Sequence, residues 1–229
     1  MGSTGHGAGN DVRGRFLSWP GCRNARDLGG LPRPGGLTRR GQYLRSDTLT
    51  RLTDDGLQSV LAAGVTAVVD LRNPPLLRRE PSPFASVRSP RLVQIPIVPA
   101  DFPFPVAFEG GYERLLDEAM PQMPSILAAL AGSPGAVVFH CHSGTGRTGA
   151  LAVLLLDLAG VDADAIQGDY LLSFDNEGAP GEKASATEVV PRLLQHLRHA
   201  YGGSDRYLAL AGVPRLDRER IAGRLSGDG

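Results

Sequence analysis

The chain has 229 residues, with 24 basic and 24 acidic side chains and a formal charge of zero. That length suits one α/β domain with room for a small insertion. The charge balance supplies no overall field for nucleic acid or a membrane surface, so any anion site must be built locally.

Residues 1–12 are glycine- and serine-rich and lack the apolar run of a secretory signal; they are expected to be disordered. Residues 13–229 are expected to form a single domain, with about 162–229 as a helical C-terminal part. Two cysteines, Cys22 and Cys141, are too few for a disulfide framework and point to a reducing compartment. No stretch approaches the ~18 apolar residues of a membrane helix. A cytoplasmic location follows as the expectation, with no stable membrane association; secretion without a signal peptide is left open.

Residues 13 to 47 are punctuated by glycine and proline and predict short strands, with a hairpin near Leu37 and Tyr43-Leu44-Arg45. Thr53 reads as the cap of a helix. Asp54 and Asp55 stand in its first turn, Leu57, Val60 and Leu61 at helical spacing, and Gly64 just past its end. Val65 to Val69 is apolar without alternation, as buried parallel strands are; it delivers Asp70, Leu71 and Arg72 at its C-terminal end. Pro74-Pro75 is expected to turn the chain out of the sheet into an irregular connection over residues 76 to 90. Leu92 to Ile97 is a further strand, placed at an edge by Pro96. A Pro/Phe loop spans Asp101 to Phe108, and Phe102, Phe104 and Phe108 suit either core or the wall of a substrate mouth. Helix is expected over Gly111 to Met120 and, past Pro121 and Pro124, over Ser125 to Leu130.

The stretch Val137 to Gly149 organises the rest. A short apolar strand ends in His140-Cys141, a glycine-rich loop follows, and Arg147-Thr148-Gly149 opens a long apolar helix ending at Gly160. Three helical segments close the chain: Asp162 to Ser173, Glu182 to Ala200 and Asp217 to Leu225. They are candidates to cap the site. Alternating strands and helices imply an α/β fold with a mostly parallel central sheet and helices on both faces.

A thiol at a strand end that faces a helix N-terminus sits at the positive end of the macrodipole, which favours the nucleophilic thiolate. The five residues His142, Ser143, Gly144, Thr145 and Gly146 can turn their backbone N–H groups inward and cradle an anion. Gly144 and Gly146 ease the backbone angles this needs. Arg147 supplies a planar bidentate fork for two oxygens, and Thr148 can hydrogen-bond the sulfur. His140 suits orienting the loop better than carrying a proton. The sequence thus reads as a phosphate monoester site with Cys141 as nucleophile.

The motif His-Cys-x5-Arg-Thr-Gly resembles the signature loop of the protein tyrosine phosphatase superfamily. Asn24-Ala25-Arg26-Asp27-Leu28-Gly29-Gly30, Leu44-Arg45-Ser46-Asp47, Asp70-Leu71-Arg72 and the late Tyr207-Leu208-Ala209-Leu210-Ala211-Gly212 resemble its bacterial and fungal tyrosine-phosphatase-like group, typified by a secreted mycobacterial enzyme. From about residue 16 the resemblance covers nearly the whole chain. It implies that Cys141 forms a phosphocysteine, that Arg147 binds the phosphoryl group and its transition state, and that Thr148 assists breakdown of the intermediate. No cofactor is implied. A carboxylic acid must protonate the leaving oxygen. Asp70 matches the Asp-Leu-Arg position proposed for this in the group, and Asp101 lies roughly where other branches carry theirs; Asp70 is preferred. The group's loop often reads Ala-Gly-Lys-Asp-Arg, its lysine and aspartate linked to phosphoinositide recognition. Here Thr145 and Gly146 replace them, which keeps the chemistry and weakens the case for an inositol lipid. The implied substrate is a phosphotyrosine protein, with a small phosphorylated metabolite or nucleotide as the alternative. Two remoter readings are a phosphate-binding pseudoenzyme and a sulfur-transfer enzyme.

His140-Cys141-His142 is a poor metal site, since neighbouring residues do not readily share one ion and no spaced Cys or His partner exists. Gly146-Arg147-Thr148 lacks the lysine of a nucleotide P-loop. Asn24 to Gly30 reads either as a turn, with an aspartate bonding its own backbone, or as a brace in which Arg26 or Asp27 supports the phosphate loop. Arg72 reads as a salt-bridge or loop-bracing group, Asp169-Tyr170 as packing, and Cys22 as a structural residue or the partner of a reversible disulfide with Cys141.

Overall fold

The structure is a computed structural model that describes residues 13–99, 102, 111–175 and 180–227. In chain order the strands are β1 (Arg26–Asp27), β2 (Pro32–Arg33), β3 (Gly36–Leu37), β4 (Tyr43–Ser46), β5 (Val65–Asp70), β6 (Arg91–Gln94) and β7 (Ala136–His140). The helices are α1 (Asp54–Ala62), α2 (Pro74–Arg79), α3 (Gly111–Ala119), α4 (Met123–Ala131), α5 (Gly146–Leu158), α6 (Ala163–Leu171), α7 (Pro180–Ala186), α8 (Val189–His196), α9 (Ser204–Leu210) and α10 (Arg215–Ser226).

The main sheet runs β1-β4-β7-β5-β6. β4, β7, β5 and β6 are parallel, and β1 is antiparallel at one edge. This is the expected α/β architecture. Register brings the strand ends together: His140 pairs with Asp70 on one side and with Ser46 on the other. Ligand sites of parallel sheets form at such C-terminal ends.

Apolar residues cover both faces of the sheet. Val137 and Phe139 point to the larger core, shared with α3 to α6 and α8 to α10, while Ala136 and Val138 point to a smaller one with Trp19, Leu49, Val60 and Phe84. β5 alternates likewise from Ala67 on, but an irregularity between Val65 and Ala67 puts Val65 and Val68 on the same side. The predicted helix after Thr53 forms as α1; the Thr53 side chain accepts the Gly56 N–H, and Gly64 follows at φ +71°.

Several boundaries differ from the sequence reading, mostly at proline. Pro74-Pro75 does end the strand, but as the opening of α2, where the Asn73 side chain caps by accepting from the Leu76 N–H. Proline is favoured at the first helical position because its missing N–H is not needed there. Pro124 likewise stands in the first turn of α4. The hairpin is the small β2-β3 pair, and Tyr43–Ser46 instead joins the main sheet. The segment expected over Glu182 to Ala200 is broken: the Thr187 hydroxyl donates to Ala184 O at 2.7 Å after α7, and α8 ends in a π turn over Leu197–Tyr201. Sequence patterning does not predict α9.

Of the C-terminal helices, α6 and the turn after it come closest to the strand ends, with Ser173 beside His142 and Ser143, while α8 to α10 pack into the core. Buried residues of α8, α9 and α10, such as Leu193, Leu208 and Ile221, enter the larger core. Arg224 of α10 reaches the carbonyls of Leu130, Ser133 and Gly135 and stacks over Tyr43.

Candidate active site

β7 delivers His140 and Cys141 to the edge of the core, and α5 begins at Gly146. The contrast with α1 is informative. α1 caps its own N-terminus and carries two aspartates in its first turn. α5 has neither: Thr145 makes no side-chain cap bond, and no acidic residue stands in the first turn. The unsatisfied N–H groups of a helix start are thus left for an anion.

The loop's carbonyls are held from outside. His142 O accepts the Thr48 N–H at 2.9 Å, Ser143 O accepts Asn24 Nδ2 at 3.2 Å, and Gly144 O accepts Arg45 Nη2 at 2.8 Å. With these three carbonyls engaged outward, N–H groups are what the loop has left to offer an anion. Gly144 sits at φ +77°, and a Cβ there would stand 2.7 Å from Asp47 N and 2.8 Å from Ser46 O. Glycine is therefore required on both conformational and steric grounds. Gly146, expected to serve the same purpose, is the first residue of α5 and does not have a positive φ.

Cys141 is 1% exposed. Burial alone pushes its thiol up. The Arg147 guanidinium, the Thr148 hydroxyl and the N–H groups of Thr148 and Gly144 outweigh that, and the net shift is downward, toward the thiolate. Thr148 Oγ1 is buried and has no oxygen or nitrogen partner, so its influence is directed at the sulfur. Arg147 is buried as well. His140 is inaccessible to solvent; burial lowers its pKa although Asp70 opposes the shift. Its Nδ1 lies 3.0 Å from Cys141 O, and since a carbonyl can only accept, Nδ1 carries the proton. His140 is thus a neutral orienting group. The His142 ring is on the rim, 3.8 Å from Glu80.

Asp70 is completely buried and both its oxygens are occupied. Arg72 Nε donates to Oδ1 at 2.9 Å and Arg72 Nη2 to Oδ2 at 2.7 Å. His140 Nε2 lies 3.6 Å from Oδ2. Arg72 also donates to Glu80 O at 3.0 Å. The pair thus braces the strand ends. Asp101, the other candidate acid, lies outside the described residues, as do Phe104 and Phe108; Phe102 is buried in the larger core.

Both readings of the Asn24–Gly30 stretch have a place. Asp27 holds its own turn, accepting the N–H groups of Gly29 and Gly41 at 2.8 Å each. Arg26 braces the loop at one remove, since it bonds the side-chain oxygen of Asn24, whose amide reaches Ser143. Arg26 also joins a buried hub at Asp169, where the guanidiniums of Arg15, Arg26 and Arg45 converge on one carboxylate. Burial would raise the pKa of Asp169, but the three arginines together hold it well below the usual carboxylate range. Burial, with Arg45 beside it, lowers Arg26 to about 10.

Sequence reasoning gives Asn24, Arg45 and Thr48 no role of their own, and Asp169 one in packing alone. Asn24 and Arg45 stand inside motifs that carry the family resemblance; nothing local marks Asp169. Tyr170 does pack, against Tyr112, Phe174 and the face of Gly149. Cys22 is a free thiol, as is Cys141. It lies 3.8 Å from Thr48 O, and burial pushes it up to about 12.

Known proteins carry the same arrangement of sequence. The pattern that defines the tyrosine phosphatase family matches residues 17–227. The chain belongs to the tyrosine phosphatase family. It is 30% identical over 216 residues to a tyrosine-protein phosphatase of Nostoc commune, a match spanning 80% of this chain and 74% of that one. It is 26% identical over 277 residues to the triple specificity protein phosphatase PtpB of Mycobacterium tuberculosis, spanning 91% of this chain and 98% of that one. Membership makes the chain a hydrolase of phosphate monoesters of the protein-tyrosine-phosphatase type, and the loop after Cys141 is where its geometry can hold a phosphate. Among the described residues no helix is long and apolar enough to cross a membrane.

Proposed function

We propose that this tyrosine phosphatase family member dephosphorylates phosphotyrosyl proteins through a phosphocysteine intermediate on Cys141, in the cytoplasm. The observation that carries the reading is the downward shift of a buried thiol between the Arg147 guanidinium and an uncapped helix start. The Cys141 thiolate attacks phosphorus, the bond to the leaving oxygen breaks, and that oxygen takes a proton from a carboxylic acid. Water then attacks the phosphocysteine, giving a proton to the carboxylate left by the first step; the sulfur leaves as thiolate with help from the Thr148 hydroxyl, and inorganic phosphate is released. Arg147 and the loop N–H groups His142 to Gly146 hold the equatorial oxygens throughout. Two cysteines, both free thiols, fit reducing surroundings, which supports the cytoplasm.

The clamp on Asp70 shifts the choice of acid. Asp70 is sealed from solvent with its two oxygens turned to Arg72, and so is not presented to a leaving group. We therefore assign the acid role to Asp101 and a bracing role to Asp70. Thr145 and Gly146 supply no charge to the loop, which supports a phosphotyrosyl side chain over an inositol lipid.

A kinetic panel of phosphotyrosyl and phosphoseryl peptides, sugar and nucleotide monophosphates and phosphoinositides tests the substrate, with phosphotyrosyl peptide expected to lead. Cys141→Ser must reduce turnover to background; residual turnover would sink the mechanism. Asp101→Asn is expected to remove the limb of the pH–rate profile that requires a protonated acid, and Asp70→Asn to keep it. The reverse result would return the role to Asp70.

A further inference from the structure

Two tyrosine hydroxyls meet at the head of α3. Tyr170, on α6, is 1% exposed, and its ring meets that of Tyr112 edge to face, with centroids 6.1 Å apart. The Tyr170 ring lies on Gly149. A Cβ there would stand 2.7 Å from Tyr170 Cε2 and 3.6 Å from Arg45 Nη2, the nitrogen that holds Gly144 O. Gly149 directly follows Thr148, whose hydroxyl and N–H act on the Cys141 sulfur. The tyrosine pair is therefore packed against the first turn of α5, beside the phosphate loop.

Among the described residues the only hydrogen-bond partner of the Tyr170 hydroxyl is that of Tyr112, to which it donates at 2.6 Å. Sealed from water, Tyr170 has to place its proton there. The Tyr112 oxygen accepts, and the Tyr112 proton is left without an acceptor among the described residues. Tyr112 is half-buried, so that proton can meet a ligand. A hydroxyl that already accepts a hydrogen bond is also a better donor. Burial raises the pKa of Tyr112; the bond from Tyr170 and the charge of Arg45 oppose the rise, and the negative charge of Cys141 adds to it. The phenol thus stays protonated, within reach of the sulfur's field but without a bond to the sulfur.

We propose that Tyr112 is a further catalytic residue: its hydroxyl donates to a non-bridging oxygen of the phosphoryl group held in the loop, and Tyr170 is the positioning residue that aims it. The inference rests on the reading of the Cys141 loop as the site of phosphate hydrolysis. The loop N–H groups and Arg147 hold the phosphoryl group from β7 and α5; Tyr112 closes the cradle from α3. A neutral donor suits that place, because it adds a bond to the developing charge without adding a second cation beside Arg147.

Tyr112→Phe removes the donor and keeps the ring. It should lower kcat/KM for p-nitrophenyl phosphate about ten- to hundredfold, as for one hydrogen bond to a charged group, and weaken the binding of tungstate, a tetrahedral dianion with no leaving group, by about tenfold or more. Tyr170→Phe keeps the donor but not its aim, and should cost about two- to tenfold. The double variant Tyr112→Phe/Tyr170→Phe leaves no buried hydroxyl unsatisfied, so it keeps the test readable if Tyr112→Phe folds poorly. It should lose no more than Tyr112→Phe alone, since Tyr170 acts only through Tyr112. Unchanged kcat/KM in Tyr112→Phe, or a loss of turnover with tungstate affinity intact, overturns the proposal. So do additive losses in the double variant. A displaced pH profile of Cys141 alkylation that accounts for the loss overturns it as well, by making the sulfur the acceptor. Failure of the intact enzyme to hydrolyse p-nitrophenyl phosphate would instead count against the phosphatase mechanism; calorimetric binding of tungstate to the intact and Tyr112→Phe chains then reads the donor independently.

Discussion

Asp70 and Asp169 are both sealed from solvent and both paired with arginine, yet they are built differently. Asp70 meets a single guanidinium two residues along the chain, that of Arg72. Asp169 meets three, from residues 124, 143 and 154 positions away. The first pair is charge-balanced and bears on His140, in the strand that enters the loop. The second is over-supplied with cations and reaches the loop itself, through the Arg45 bond to Gly144 O. One is a local brace. The other ties the N-terminal segment, β1, β4 and α6 together beneath the phosphate cradle, leaving excess positive charge where a phosphate and a thiolate must be tolerated.

Breaking the hub should have the larger effect. Asp169→Ala leaves three buried guanidiniums without their shared carboxylate, and removing one partner of a buried ion pair costs about 3–5 kcal/mol. Against a domain stability of about 5–15 kcal/mol, that should bring the urea midpoint down severely and loosen Arg45 from Gly144. An unchanged midpoint would mean that the arginines find other partners and that Asp169 is not the hub.

Asp70→Asn should cost less. The amide keeps the shape and one acceptor for Arg72, which also retains its bond to Glu80 O. Loss of the charge-assisted bonds is worth about 1–3 kcal/mol. A midpoint shift as large as that of Asp169→Ala would erase the distinction between brace and hub.

The same contrast explains what could be read from the chain. The phosphate loop is contiguous, and its residue types dictate strand, anion loop and helix without help from elsewhere; Cys141, Arg147 and Thr148 are legible for that reason. So are β5 and α1, whose patterns are local. The Asp70–Arg72 clamp is half legible: the two are plainly neighbours, but whether Asp70 faces the substrate or its own arginine depends on a side-chain direction that sequence does not encode. The Asp169 hub is not legible at all, because an aspartate in a helix reads as surface or packing until three distant arginines are brought against it. The errors at Pro74 and Pro124 are of another kind. Proline both ends a strand and opens a helix, and the residues C-terminal to it decide between the two.

The smallest effect separates the two carboxylates by pH. His140, beside Asp70, has a pKa lowered mainly by burial. The folded state therefore favours the neutral ring, and the unfolded chain binds more protons once pH falls below the ordinary histidine value of about 6.5. The contribution of the neutral ring is present above that value and is lost as pH falls through the lowered folded pKa. Asp169 is lowered as well, by its three arginines. As a carboxylate it contributes stability above its unfolded value of about 3.9 and loses that contribution only on further acidification. Titrating the urea midpoint downward from neutral pH should thus show an early decline from the Asp70 side of the site, well before the hub fails. His140→Asn, whose amide can still donate to Cys141 O, should flatten the early decline and leave the later one. If the early slope survives that substitution, the first acid-sensitive element lies elsewhere, and the strand-end brace is not where the fold first gives way.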